Sequence, residues 1–233
     1  MNSRLITCII PVFNGERYLR EALDSVFAQT YRSLDVVLVD DGSTDNTAAI
    51  AATYDDRIRY VHQNNLGPAA ARNMGIRAAR GEFIAFLDAD DLWHPEKLER
   101  QIARFQARPE LGYCVTYCQN FWIPDLQAEA EKYREHRVAR PLPGYVTQTL
   151  FARAAVFDSV GLFNVALAHG DSTEWFLRAA QKGTVMELLP NVLSYRRLHS
   201  ENRSRLLASS SREEFLHIVK MSLDSRRMNK PAD

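Results

Sequence analysis

Two groups of carboxylates each follow a short apolar run: Asp40-Asp41 after Val36–Val39, and Asp88-Ala89-Asp90-Asp91 after Phe83–Leu87. Carboxylates gathered on one rim repel each other and raise each other's pKa unless a cation sits among them. A metal is therefore the economical inference. Oxygen ligands without cysteine favour a hard ion, Mg2+ or Mn2+, which keeps waters and is completed by substrate phosphates. The chemistry implied is metal-assisted handling of a phosphorylated ligand. Asp-x-Asp alone recurs by chance, and Asp91 equally suits a cap for a helix opening at Pro95, so position and company must decide.

The elements that would position these acids alternate in type. Leu5 to Val12 is a nearly continuous apolar run, ended by Pro11 and Asn14-Gly15, which suits a strand buried on both faces and hence a parallel sheet. Leu19, Ala22, Leu23, Val26 and Phe27 then make the apolar stripe of a helix lying on such a sheet. Val36–Val39 is a second strand, and the turn after it, Asp40 to Thr44, offers Gly42 for a sharp bend and Ser43 or Thr44 as a helix cap. Ile58–Val61 and Phe83–Leu87 read as strands around an alanine-rich helix over Pro68–Ala79, and Tyr113–Tyr117 as a fifth strand after a helix opened by Pro95. From Asn120 to Gly144 the pattern gives way to charged, proline-bearing sequence, expected as a mobile loop or short exposed helix. Regular structure is expected again over Tyr145–Phe151, a helix around Thr173–Gln181, short strands near Val185–Leu188 and Val192–Tyr195, and a last helix carrying Phe215, Leu216, Val219 and Leu223. The tail Arg226 to Lys230 is basic. The expected division is a first α/β half over 1–119, a second half of the same domain over 120–208, and a C-terminal helix with its tail over 209–233.

Composition excludes several classes. The 233 residues are 46% apolar and 25% charged, ordinary for a chain with one sizeable core. Lys and Arg number 29 and so do Asp and Glu, so no global field draws in nucleic acid. Cys8, Cys114 and Cys118 are an odd set that completes no zinc pattern and suits a reducing compartment. No stretch approaches a membrane span, and the segment Met1 to Gly15 is too short in apolar residues for a signal sequence. The expected location is the cytoplasm, with peripheral contact at the inner membrane as the alternative. Asn202-Arg203-Ser204 is formally a glycosylation sequon, read here as chance. There is no G-x-G-x-x-G after the first strand, no P-loop, no His-Glu-x-x-His and no Gly-x-Ser-x-Gly, which sets aside dinucleotide oxidoreductases, P-loop NTPases, zinc peptidases and serine hydrolases.

In open α/β sheets ligands bind beyond the carboxyl ends of the strands. There the chain carries Ile9-Ile10-Pro11-Val12-Phe13-Asn14-Gly15-Glu16, Val37-Leu38-Val39-Asp40-Asp41-Gly42-Ser43-Thr44-Asp45, Gly67-Pro68-Ala69-Ala70-Ala71-Arg72-Asn73-Met74-Gly75 and Phe86-Leu87-Asp88-Ala89-Asp90-Asp91. In this order and spacing they resemble the motifs of the family 2 glycosyltransferases, over roughly the first hundred residues. The resemblance implies an α/β GT-A fold, Rossmann-like, with a mostly parallel central sheet flanked by helices. It implies a nucleotide-diphospho-sugar donor, inversion at the anomeric carbon, Mn2+ or Mg2+, and a sugar or glycolipid acceptor met by 120–144, in cell-surface polysaccharide or glycoconjugate synthesis. Pro11, Phe13 and Glu16 would line the nucleoside pocket, and Asp41 would accept a hydrogen bond from the base, with uracil the better fit. Arg72 and Asn73 would lie near the nucleotide. Asp88, with Ala89 beside it, would hold the ribose or donor sugar, and Asp90, with Asp88, the metal on the diphosphate. His199 resembles a late histidine that adds a metal contact; its alternative is a surface histidine after a strand.

The chemistry also requires a base, because the acceptor hydroxyl must lose a proton as it attacks from the face opposite the leaving diphosphate. Many members carry Glu-Asp followed two residues later by another acid. Here His169-Gly170-Asp171-Ser172-Thr173-Glu174-Trp175 puts Ser172 at the base position. Asp171 and Glu174 are the remaining candidates. Asp171 is preferred, at the mouth of the helix where a carboxylate can face the donor, although a helix dipole alone would favour an acid there. Two rival readings follow. A sugar nucleotidyltransferase would carry a glycine- and arginine-rich phosphate loop where Pro11–Gly15 stands. A non-catalytic sugar-nucleotide binding or assembly module would keep the nucleotide residues and lack the base.

Overall fold

In the computed structural model, residues 4–206 and 213–221 are described. Leu223 and the basic tail at 226–230 lie outside the described residues.

The chain begins as the alternating pattern requires. Strand β1 (Ile6–Val12) is buried along its whole length, and helix α1 (Leu19–Phe27) turns Leu19, Ala22, Leu23 and Val26 inward. Next come β2 (Leu34–Asp40), α2 (Thr47–Ala52), β3 (Arg59–His62), α3 (Pro68–Ala78) and β4 (Phe83–Phe86). Pro68 occupies the first turn of α3, where its missing N–H costs nothing. Strands β3, β2, β1 and β4 are neighbours in that order and all parallel, with Ile6 opposite Leu34 on one side and Phe83 on the other. Because successive side chains of a strand alternate, Ile6, Cys8 and Ile10 enter the core beneath α1 while Ile9 faces the opposite core. That second core joins Ile9 and Phe86 to Phe157, Phe163 and Trp175. Gly75 brings α3 close to β1, since a Cβ there would collide with Ile9.

The second half extends the same sheet. After β5 (Leu92–Trp93), α4 (Lys97–Ala107) and β6 (Tyr113–Trp122) come α5 (Gln127–Lys132), β7 (Leu142–Pro143), β8 (Phe151–Arg153), α6 (Ala154–Val160), α7 (Asp171–Gln181), β9 (Met186–Leu198) and α8 (Arg203–Leu206). The nine-stranded sheet runs β3-β2-β1-β4-β8-β6-β9-β5, with β7 on β6. Here β6 and β9 are parallel, whereas β8 runs antiparallel to both β4 and β6. The boundary expected at 119/120 falls inside β6, which runs unbroken across it.

Three local expectations are refined. The two short strands expected near 185–195 are one strand, β9, in which the partner of β6 jumps from Leu189 to Val192. Pro190, with no N–H to give to a ladder, falls in that irregularity. Segment 120–144 contains the end of β6, short 3-10 turns at Pro124–Leu126 and Arg137–Ala139, α5 and β7. It is held from within and from afar: Glu129 accepts from Trp122 Nε1 in the same segment and pairs with Arg205, 76 residues on. Over Tyr145–Phe151 a 3-10 turn at Thr147–Thr149 leads into β8.

Candidate active site

The carboxyl ends of β1, β2 and β4 form one rim, and polar contacts stitch its loops together. Ser43 Oγ accepts from Asn14 N at 2.9 Å, Thr47 Oγ1 from Gly15 N at 2.8 Å, and Asn14 Oδ1 from Thr44 N at 2.8 Å. Ser43 and Thr47 therefore serve the neighbouring loop, and α2 has no side-chain cap. Glu16 belongs to the same stitching, accepting from the backbone and side chain of Asn46 at 3.1 and 2.8 Å. Pro11 is buried at the end of β1, whereas Phe13 is 50% exposed beside it, an open aromatic face on the rim.

Asp41 is buried and already bonded. Its carboxylate accepts from Gln63 Nε2 at 2.7 Å and from the backbone N–H groups of Leu66 and Gly67 at 2.8 Å each. It thus holds the turn leading into α3. A shallow cleft of about 160 Å³ opens beside that turn, lined by Leu66–Ala69, Val165–Ala168 and Arg203.

From α3, Arg72 bridges two acids that are 83 residues apart in sequence: Nη2 donates to Asp88 Oδ1 at 2.9 Å and Nη1 to Asp171 Oδ2 at 2.8 Å. Burial pulls the guanidinium pKa down, but the two carboxylates more than offset this and leave it raised. Arg72 Nε is buried without a partner among the described residues. Asp171 opens α7, next to Gly170. Glu174 is turned elsewhere: both its oxygens pair with Arg178 at 2.8 Å, and Arg178 also donates to the carbonyls of Val160 and Leu162. The structure therefore joins Asp171 to Asp88 through Arg72 and gives Glu174 no contact with that group. Asn73 follows Arg72 in α3, but its amide is used on both sides by the backbone of Phe163, at 2.8 and 2.9 Å. The Asn73 side chain thus ties α3 to the chain at Phe163.

The second centre forms where β4 meets the end of β9. His199 Nε2 lies 2.9 Å from Asp90 Oδ2, and Asn202 Nδ2 donates to the same oxygen at 3.3 Å. Asn202 also accepts from His199 N at 2.7 Å and donates to the Arg197 carbonyl at 3.0 Å, so both ends of its buried amide are in use. Arg197 donates from Nε to the Asp90 carbonyl at 2.9 Å and from Nη2 to Glu21 at 2.8 Å, beneath the rings of Tyr18 and Phe121. Asp91 does not cap α4; its Oδ1 accepts from Arg197 N at 2.8 Å. Burial, together with Asp90 and Asp88 nearby, raises the Asp91 pKa well above the ordinary carboxylate range. Ala89, between the acids, packs against the core beneath α1.

This donor set fits a cation. Among the described residues no group of three or more His, Cys, Asp and Glu side chains could hold a metal by itself. An ion at Asp90 and His199 would therefore be completed by phosphate oxygens and water, as Mg2+ and Mn2+ sites commonly are. His199 turns Nε2 toward Asp90 Oδ2, a nitrogen and an oxygen donor at a separation that one ion can bridge, while Nδ1 is buried without a partner among the described residues.

Asn202 and Arg197 were not singled out by the sequence. Asn202 carried only the sequon signal, and its buried, doubly bonded amide accounts for it as a structural residue. Nothing local marks Arg197, since it acts on Asp90 and Glu21, far away in the chain.

Fold and rim together define the class, an α/β protein of the GT-A type. The model of the family described as Glycosyl transferase family 2 matches residues 7–161, and the chain belongs to that family. An uncharacterized glycosyltransferase of Rickettsia felis is 33% identical over 239 residues, covering 91% of this chain and 38% of the relative. Another, of Rickettsia typhi, is 35% identical over 187 residues, covering 75% of this chain and 58% of the relative. The chain thus spans about 38% to 58% of the length of these relatives. Among solved structures, S. aureus TarS 1–349 in complex with UDP-GlcNAc aligns with a TM-score of 0.77 at 21% identity, over 98% of this chain and 68% of that one. The mannosyltransferase PcManGT of Pyrobaculum calidifontis, in complex with GDP-Man and Mn2+, aligns at 0.71 and 20% identity, over all of this chain and 67% of that one. At these identities the likeness is one of fold.

Proposed function

We propose that this chain carries the donor site and the chemistry of a metal-dependent, inverting glycosyltransferase that moves a sugar from a nucleotide-diphospho-sugar, preferably a UDP-sugar, to an acceptor hydroxyl. The observation that carries the reading is the contact of Asp90 with His199, two metal-capable groups 109 residues apart brought to 2.9 Å on the rim of a GT-A sheet. It is supported by the UDP-GlcNAc of the TarS structure and the GDP-Man and Mn2+ of the PcManGT structure. A bound Mn2+ or Mg2+ would stabilise the charge that develops on the leaving diphosphate. In this reading Asp90 and His199 hold the ion, with Asn202 and Arg197 fixing the carboxylate and the strand end. Phe13 lies against the nucleoside, and Asp41 offers its remaining lone pair to the base. Asp88 holds the ribose or sugar, and Arg72 turns from the carboxylates toward the diphosphate. Asp171, released from that pairing, takes the acceptor proton in place of the absent acid at Ser172. Glu174, tied to Arg178, keeps a structural role. The acceptor side is formed by residues 120–208.

A second reading has one observation in its favour. Ser172 stands at the base position and Asp171 is ion-paired, an arrangement that a sugar-nucleotide binding module would tolerate. Single-turnover transfer separates the two. The wild type with UDP-sugars and Mn2+ is expected to transfer or hydrolyse donor, Asp90→Asn to lose both Mn2+ binding and turnover, and Asp171→Asn to lose turnover with UDP still bound. UDP binding without turnover in the wild type would favour the binding module, and full activity in Asp90→Asn would refute the metal assignment.

A further inference from the structure

Three consecutive backbone N–H groups, those of Ala168, His169 and Gly170, donate to the single carboxylate of Glu214, at 2.7, 2.7 and 3.0 Å. Glu214 lies on the helical stretch over residues 213–221, at least 44 positions further along the chain. One turn on, Ile218 is 2% exposed and rests where a Cβ on Gly170 would collide with its Cδ1. The stretch buries little else, since Phe215 and Leu216 are 50% and 60% exposed. Its grip on the domain is thus concentrated on the backbone just ahead of α7, whose first residue is Asp171.

Such an arrangement acts strongly on a short piece of chain. Hydrogen bonds to an ionised acceptor are roughly twice as strong as neutral ones, and this acceptor takes several from successive residues. The negative charge also lies at the positive end of the α7 dipole. Asp171 is consequently held from both sides. Arg72 grips its carboxylate, and Glu214 with Ile218 fixes the backbone that delivers it.

We propose that Glu214 is a positioning residue for Asp171: by clamping Ala168 to Gly170 it fixes the start of α7, so that the Asp171 carboxylate stays aimed at the donor when Arg72 releases it. The proposal rests on the reading of Asp171 as the base. It makes the C-terminal helical stretch part of the reaction machinery although none of its residues would touch substrate.

The test uses the full chain with Glu214→Ala and the near-isosteric Glu214→Gln, which preserves packing if the alanine variant folds poorly. Hydrogen exchange should accelerate in the peptide covering 165–172, more in Glu214→Ala than in Glu214→Gln, with β1 and β4 unchanged. Single-turnover transfer should slow by about tenfold, in keeping with the sensitivity of a base to small displacements, while UDP affinity stays within about twofold. A purely structural clamp would not separate rate from donor affinity in this way. Unchanged exchange at 165–172, an unchanged rate, or a rate that falls only in step with UDP affinity overturns the proposal. Asp171→Asn run alongside tells the two failures apart. If it abolishes transfer while both Glu214 variants keep the wild-type rate, the clamp is refuted and the base reading stands; if it retains transfer, the base reading fails and the proposal fails with it.

Discussion

Arg72 sets up a stability experiment whose outcome follows from burial. Its side chain is 10% exposed, that of Asp171 is 8% exposed, and that of Asp88 is 31% exposed. Arg72→Met keeps most of the apolar stem and removes the guanidinium, leaving Asp171 as a buried charge without its partner. Breaking a buried pair in this way costs about 3 to 5 kcal/mol. The bond to Asp88 adds about 1 kcal/mol at most, because solvent screens that partner. Asp171→Asn is milder, at about 1.5 to 3 kcal/mol, since Arg72 retains Asp88. In the double variant the stranded charge is gone as well, so adding Asp171→Asn to Arg72→Met should recover about 2 kcal/mol instead of costing more. Urea unfolding in metal-free buffer, with equal slopes for all four proteins, reads the coupling directly. A double variant as unstable as the sum of its parts would show that Arg72 and Asp171 are energetically independent, and the assignment of Arg72 as the partner that restrains Asp171 would fall.

Three further outcomes follow from the site. Asp41→Asn should weaken UDP binding by about 1.5 to 3 kcal/mol in calorimetry, the range for a hydrogen bond to a charged group, and should loosen the turn at Leu66 and Gly67, which a thermal melt would register; unchanged UDP affinity removes Asp41 from the base pocket. Asn202→Ala should lower Mn2+ affinity by about 10- to 100-fold, the usual effect of losing a group that orients a metal ligand; equal Mn2+ titrations of variant and wild type would contradict this. Lys97, buried against the Trp93 ring and bonded to Gln101 at 2.6 Å, has its pKa lowered by burial from 10.5 to about 7. Between those values the unfolded chain holds a proton that the folded protein does not, so stability should rise with pH from about 7 toward 9, by up to about 1.4 kcal/mol per pH unit. Lys97→Met should flatten that rise in pH-dependent melts, and an equal slope in both proteins would refute the assignment.

Much of this protein could be read along the chain. The first four strands and their helices follow from runs and stripes that report burial directly: β1 is apolar but for Thr7 because helices cover both faces, and α1 is striped because it covers one. The acids at Asp40, Asp41, Asp88, Asp90 and Asp91 were placed on one rim by the rule that strand ends converge. These are short-range properties, set by the alternation of a strand and the pitch of a helix. Tertiary structure alone decided how the acids divide their work. Asp41 turns inward to hold a turn, Asp88 and Asp171 share Arg72, and Asp90 meets His199. The longest of these pairings, Arg72 with Asp171 and Asp90 with His199, span 99 and 109 residues, and no local pattern encodes which partner a side chain will meet. The same holds for the order of β8 between β4 and β6, for Glu129 tying segment 120–144 to Arg205, and for Glu214 on the backbone ahead of α7. Each of these contacts depends on two elements being packed first, whereas a strand or a helix stripe declares its own burial in the residues that form it.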